Sequence, residues 1–267
     1  MFSLDPTTYG KTSALLGIHL ATRDSDQVVS IVSVPVSDHG SLRTAVERLR
    51  GLAVEGILLV APGREAIDTF AELSVHVPVV VVAAGPQERL SAVAIDDYAG
   101  AVAATRHLLE LGHRTVSHIG GPADREDPGL RLAGWRDTLR AAGADIPTPM
   151  VGDWSAGVGY ELGRRLALRR DVTAILVAND QMALGVMHAL SEAGRRVPED
   201  VSIVGFDGSP HGEFFNPPLT IVRQNYAELG RRSLRLLMSE IELGSNARIR
   251  ETIPAELIVR ASTAAAA

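Results

Sequence analysis

Polar residues at the ends of apolar runs are the positions in this chain best placed to do chemistry. Ala174–Ala178 runs straight into Asn179-Asp180, and Val201–Phe206 runs into Asp207. In open α/β sheets, ligands bind in the crevice beyond the carboxyl ends of the strands, which makes Asn179 and Asp207 candidates for hydrogen-bonding a small polar molecule. The competing reading makes them helix caps and turn formers. The segment Gly152-Asp153-Trp154-Ser155-Ala156 puts one of the two tryptophans on a loop. An indole there either stacks on the apolar face of a sugar or purine ring or anchors the core.

Other chemistries find little support. Gly10-Lys11-Thr12 resembles the end of a phosphate-binding loop, but Asp5 stands where that motif needs its first glycine, and an acid there would repel phosphate. The plainer reading is a strand-to-helix turn capped by Thr12 or Ser13. Gly120-Gly121-Pro122 lacks the spacing of a dinucleotide fingerprint and reads as a turn. No serine is flanked by glycines as in a nucleophile elbow. His107, His113 and His118 fall on different elements without metal-ligand spacing, and the chain has no cysteine. No cofactor, no metal and no enzymatic activity are expected.

The elements that must position these residues alternate along the chain. Val28–Val34, Gly56–Ala61, Val79–Ala83, Thr115–Ile119, Ala174–Ala178 and Val201–Phe206 read as buried strands. Helical spacing separates them: Ser41–Leu52 with Ser41 as N-cap, Tyr98–Leu111 stopping at Gly112, and Ala227–Leu243 stopping at Gly244 with Leu234, Leu237, Met238 and Ile241 on one face. Such alternation implies parallel sheets covered on both faces. There are too many units for one sheet, so two α/β layers are expected, with the cleft between them as the binding site. Only Phe2–Leu4 precede the first turn, as if the chain were cut inside its first strand. The Ala264–Ala267 tail is expected to be disordered.

The 267 residues carry a formal net charge of −6, which argues against a surface that holds nucleic acid by its phosphates. The pairs Arg164-Arg165, Arg169-Arg170, Arg195-Arg196 and Arg231-Arg232 are interleaved with acids and read as solvated helix faces. No export signal opens the chain and no apolar run is long enough to span a bilayer, so a cytoplasmic protein without membrane contact is expected.

Several motifs together resemble the lactose repressor family. They are His107–His113 (HLLELGH), Arg131–Trp135 (RLAGW), Gly152–Ala156 (GDWSA), Val177–Gly185 (VANDQMALG), Val201–Asp207 (VSIVGFD), Pro217–Thr220 followed by Arg223-Gln224, and Pro254–Leu257. They stand in the family's order over nearly the whole chain. The resemblance implies two doubly wound subdomains of periplasmic-binding-protein type joined by three crossovers, near residues 95, 224 and 252. It assigns residues 1–94 and 225–251 to the first subdomain and residues 95–224 and 252–267 to the second.

By the same resemblance, a sugar-like small-molecule effector binds between them. Arg131 would hold hydroxyls with its planar fork, Asn179 and Asp207 would bond further hydroxyls, and Gln224 would sit at a crossover. Trp154 would stack, and Tyr9 would offer a polar group from the other subdomain. The family's helix-turn-helix headpiece is not among these residues, so operator DNA would be bound only through that absent headpiece, by a homodimer. Ala83 and Gly208 stand where the family often has acids, which leaves the sugar's identity open. A solute-binding protein of a sugar transporter shares the fold class but predicts an export signal. An enzyme needs a nucleophile–base pair or a phosphate cradle.

Overall fold

A computed structural model describes residues 9–23, 27–32, 39–60, 67, 68, 70, 72, 75–82, 89–122, 126–244 and 248–266. In chain order the elements are α1 (Tyr9–Thr22), α2 (His39–Gly51), β1 (Ile57–Val60), β2 (Val79–Val82), β3 (Ser91–Ile95), α3 (Asp97–Glu110), β4 (Ser117–Gly120) and α4 (Glu126–Ala141). There follow β5 (Met150–Val151), α5 (Ala156–Ala167), β6 (Ala174–Val177), α6 (Asp180–Glu192), β7 (Ser202–Asp207), β8 (Thr220–Arg223), α7 (Tyr226–Leu243), β9 (Arg250–Ile253) and β10 (Glu256–Ile258). They group into two units, Met1–Ile95 with Asn225–Ile253, and Asp96–Gln224 with Pro254–Ala267.

The first unit is built on a parallel sheet of order β1-β2-β3-β9. All four residues of β2 are buried valines, as a strand covered on both faces requires. Ala45, Val46 and Leu49 of α2 pack with Ile57, Leu59, Val79 and Val81. Helix α1 lies against α7 at a crossing of glycines. A Cβ on Gly17 would fall inside the Tyr226 carbonyl, and one on Gly230 inside the backbone of Gly17. The buried face of α7 is Leu229, Gly230, Ser233, Leu236, Leu237 and Glu240. It includes two polar residues that the apolar spacing of Leu234, Leu237, Met238 and Ile241 did not reveal. The Ser91 hydroxyl of β3 donates to Glu240 Oε1, and the Ile249 amide donates to Ser91 Oγ at 3.0 Å, which fastens α7 and the entry to β9 onto β3.

The second unit has a six-stranded sheet of order β10-β8-β7-β6-β4-β5. Every pairing is parallel except β10 on β8. Side chains alternate across it: Ala174 and Leu176 of β6 meet Ala101, Ala104, Leu108, Trp135 and Leu139 of α3 and α4. Ile175 and Val177 meet Leu162, Leu166, Met182, Val186 and Leu190 of α5 and α6. Both faces are apolar, which is why the strands read as continuous runs. After β4 the chain goes to β5 on one side and then to β6 on the other, so the strand order reverses at β4 and opens a crevice at the carboxyl ends of these strands.

The fold class read from the sequence, parallel α/β, is the one observed, with local differences. Residues 28–32 of the expected strand Val28–Val34 form no ladder among the described residues, and Val28 and Ile31 are exposed; residues 33 and 34 lie outside the described set. Helix α1 begins at Tyr9, so Gly10–Ser13 lie inside its first turns rather than in a capping turn, and Ser41 lies inside α2 rather than at its cap. The expected first strand, Phe2–Leu4, lies outside the described residues, as does Ala83.

Asp96 caps α3 by accepting from the Ala99 amide at 2.8 Å, and Gly112 follows that helix at φ +90°. Gly244, expected to end α7, is its left-handed C-cap. Of the tail expected to be disordered, Ala264–Ala266 is anchored, and Ala267 lies outside the described residues. Ala264 exchanges hydrogen bonds with Ser202 Oγ, and the Ala266 amide donates to Leu111 O at 2.8 Å. Arg195 is not solvated: it is buried and donates to the carbonyls of Arg169, Val172 and Asp200, tying these loop segments together.

Candidate functional site

A buried guanidinium organises the carboxyl end of the second unit's sheet. Arg131, on α4, is 4% exposed. Its Nε donates to Asp97 Oδ1 at 2.7 Å, Nη1 donates to the Ala178 carbonyl, and Nη2 lies 3.4 Å from Gln224 Oε1 and 3.2 Å from Asp207 Oδ1. Gln224 Nε2 donates to the same Asp97 oxygen at 2.8 Å. The guanidinium carbon sits 4.0 Å from the ring centroid of Phe206 and 5.7 Å from that of Trp154. A charge this deep is tolerable only when paired and fully hydrogen-bonded, and four separate elements supply the partners.

Each partner is delivered by a strand end. Asp207 closes β7 at φ +90°, a left-handed backbone that costs a non-glycine residue energy. Trp154 follows β5 at φ +76°. Its indole lies on Gly121, where any Cβ would fall inside the ring. Asn179 follows β6 and is 2% exposed. Its Oδ1 accepts from the Met182 amide at 2.9 Å and its Nδ2 donates to the Trp154 carbonyl at 3.0 Å. The helix-cap reading of Asn179 therefore holds in geometry, and the same amide also pins the strained tryptophan loop. Each of its two polar atoms keeps capacity for one further hydrogen bond.

Asp97 and Asp180 are held away from their ordinary ionisation. Burial pushes Asp97 up to about 6, opposed by the Arg131 charge and reinforced by Asp127 and Asp207. Burial pushes Asp180, the first residue of α6, up to about 7. Asp207 adds to that rise, while the Ser209 and Gly208 amides and the Ser209 hydroxyl pull it down. Asp180 Oδ2 accepts from the Ser209 amide at 2.6 Å. Two carboxylates, Asp97 and Asp207, on one guanidinium make a buried polar cluster, the setting in which hydrogen bonds are strong and geometry is selective.

Five of the six residues singled out from the sequence, Arg131, Trp154, Asn179, Asp207 and Gln224, come together here. Tyr9 belongs to the other unit, where it opens α1 and meets Tyr226 edge-on with ring centroids 6.0 Å apart. Asp97, Asp180 and Phe206 were missed. Their signals were present: an Asp96-Asp97 pair directly after the apolar run Ser91–Ile95, the second residue of Asn179-Asp180, and the last apolar residue before Asp207.

The chain is similar to known proteins over most of its length. Residues 105–263 match the family of periplasmic binding protein-like domains. The chain is 34% identical over 236 residues to the lactose operon repressor of Klebsiella pneumoniae, covering 88% of this chain and 66% of that protein. It therefore spans just under two thirds of that relative's length. A lac repressor dimer bound to operator and the anti-inducer ONPF superposes with a TM-score of 0.90 at 29% identity, over 98% of this chain and 92% of that one. The complex of the transcriptional regulator CelR with cellobiose superposes with a TM-score of 0.85 at 32% identity, over 98% and 82%. With more than half its length matched to the domain family and near-complete likeness to these regulators, the chain belongs to the lactose repressor family.

Proposed function

We propose that this chain is the ligand-sensing and dimerising part of a transcription regulator whose effector is a small sugar-like molecule. The observation that carries the reading is the Arg131 cluster: a buried, hydrogen-bonded set of charges at the strand-order reversal, with Asp207 within it and Trp154 beside it both on strained backbones. In this reading Arg131, Asn179, Asp207 and Gln224 hold hydroxyls, Trp154 stacks on the sugar's apolar face, and Tyr9 contributes a polar group from the other unit across an inter-subdomain cleft.

The longest contact of the fork, Arg131 Nη2 to Gln224 Oε1 at 3.4 Å, is the one a ligand hydroxyl would replace at least cost. Ligand binding shifts the regulator between two states by its differential affinity for them, and couplings of about 1–3 kcal/mol are usual. A homodimer would pass that shift to DNA-binding headpieces carried elsewhere in the whole protein, working in the cytoplasm without cofactor or catalysis. Kinship with operator-binding regulators favours this over a transport role for the same fold class. Among the described residues no helix is long and apolar enough to cross a membrane.

The test is thermal melting against cellobiose, lactose, ribose and nucleosides, with Asp207→Ala and Arg131→Ala each compared with its own unliganded melt. A ligand at a hundred times its dissociation constant adds about 2.7 kcal/mol, which for a chain of this size is roughly 5–10 °C. A shift present in the wild type and absent in both variants supports the reading. A shift that survives both puts the ligand elsewhere, and no shift from any compound overturns the sugar-like effector.

A further inference from the structure

Arg131 brings a positive charge to the site, yet its donors are already committed. Its Nε and the Gln224 Nε2 both donate to Asp97 Oδ1, at 2.7 Å and 2.8 Å, so one oxygen of a buried carboxylate closes that edge of the fork. Nη1 donates to the Ala178 carbonyl, and Nη2 lies between Gln224 Oε1 and Asp207 Oδ1. A guanidinium with open edges is the usual bidentate seat for a carboxylate or phosphate. Here every nitrogen of the guanidinium meets an acceptor from the chain itself. Asp97 follows the α3 cap at Asp96 and is 1% exposed, its carboxylate turned to Arg131 rather than to solvent.

The charge around this fork is acidic. Burial raises Asp97 and Asp180, Asp207 adds to both rises, and Asp127 adds to that of Asp97. His118 on β4, 1% exposed, feels Arg131 but supplies no cation at neutral pH, because burial, aided by that charge, holds it at about 4. A ligand oxygen that replaced Gln224 at Nη2 would sit beside Asp207 Oδ1, which lies 3.2 Å from the same nitrogen. A hydroxyl there accepts from Nη2 and donates to Asp207. A carboxylate, or a phosphate as the dianion, only accepts and meets Asp207 as a like charge. It could take the fork only by evicting Asp97, a buried charge that would then lie unpaired.

We propose that Asp97 is a specificity-determining residue: a resident carboxylate that neutralises Arg131 and restricts the site to effectors without an anionic group, so that free sugars bind and the corresponding sugar acids and sugar phosphates are refused. Asp97 acts through Arg131 and is a positioning residue rather than a ligand contact. This rests on the sugar-binding reading of the Arg131 cluster and deepens it, naming the charge class of the effector and the residue that sets it.

The test is titration calorimetry at pH 8 of the same 267-residue chain with cellobiose, lactose and ribose, followed by two derivatives of whichever binds tightest. In one a primary hydroxymethyl is replaced by a carboxylate, and in the other by a carboxamide, which has the same shape and no charge. The wild type is expected to bind the acid at least about 100-fold more weakly than the amide. In Asp97→Asn, whose amide oxygen still accepts from Arg131 and Gln224, that gap should shrink about 10-fold through tighter binding of the acid. Asp97→Ser, a smaller acceptor without charge, carries the same expectation should the first variant fail to fold. An acid that binds the wild type as tightly as the amide, or a gap unchanged in the variants, overturns the proposal and leaves the sugar-binding reading standing. If none of the three sugars binds the wild type, that reading fails and the charge selection falls with it.

Discussion

The two units bury different things. The Asp96–Gln224 unit buries charges, Arg131 with Asp97 and Asp207, and Asp180, with the Arg131 contacts drawn from α3, α4, β7 and the segment after β8. In the other unit the tightest feature is a backbone contact: α1 and α7 meet at Gly17 and Gly230, and the buried polar couple there is Ser91 with Glu240. Close backbone packing serves rigidity alone. A paired cluster of buried charges costs desolvation that apolar packing would avoid, so its retention points to use rather than to stability. The contrast sets buried charge in one unit against close backbone packing in the other, and the proposed binding chemistry goes with the charge.

The contrast breaks most visibly at Arg131. Arg131→Ala leaves Asp97 and Asp207 facing each other without a cation, and urea unfolding should show a loss of about 3–5 kcal/mol. A loss below about 1 kcal/mol would mean that the acids simply take up protons, and that the cluster is not held together by charge. Gly17→Ala probes the other unit. The added methyl meets the Tyr226 backbone, which cannot swing aside as a side chain can, so about 1–3 kcal/mol should be lost. An unchanged unfolding midpoint would show that α1 slides on α7 freely and would remove the stiffness argument.

The smallest effect separates opposing titrations within the charged unit. Asp97 at about 6 and Asp180 at about 7 keep protons in the folded chain that the unfolded chain, at 3.8, has released. Their stabilising contribution is present at low pH and is lost as the pH rises through those values. His118 at about 4 runs the other way, because the unfolded chain takes a proton below 6.5 and the folded chain does not. The two trends oppose each other in the wild type. Asp180→Asn should therefore gain on the wild type as the pH rises from about 4 to about 7, by at most about 1.4 kcal/mol per pH unit. Urea midpoints across that range would read it, and a pH-independent gap would show that Asp180 titrates alike in both states.

The parallel α/β class was legible because both sheet faces are covered and the central strands are unbroken apolar runs. Strands at the margins were not: β5 has two residues, β9 reads Arg-Glu-Thr-Ile and β10 is partly exposed, so none carries a distinctive period. Arg131 and Gln224 were singled out through resemblance, and Trp154, Asn179 and Asp207 through resemblance joined to their places on a loop and at strand ends. Asp97 and His118 were not, because their roles depend on partners 34 and 58 residues away in the chain, respectively, which topology alone brings near. A buried polar partner leaves no local periodicity, and the same is true of Ser233 and Glu240 on α7.

The pairing of β9 with β3 bears on how the protein is made. During synthesis β3 emerges about 150 residues before its neighbour β9. At about 5–20 residues per second that is a wait of roughly 8–30 s. Throughout it, one flank of β3 offers unpaired amides and carbonyls, the kind of edge that recruits strands from other chains. The C-terminal residues that stitch onto Ser202 and Leu111 come later still. Both units need residues beyond 249 to complete their sheets, so a cell making this protein must shelter the open edge of β3 until β9 arrives.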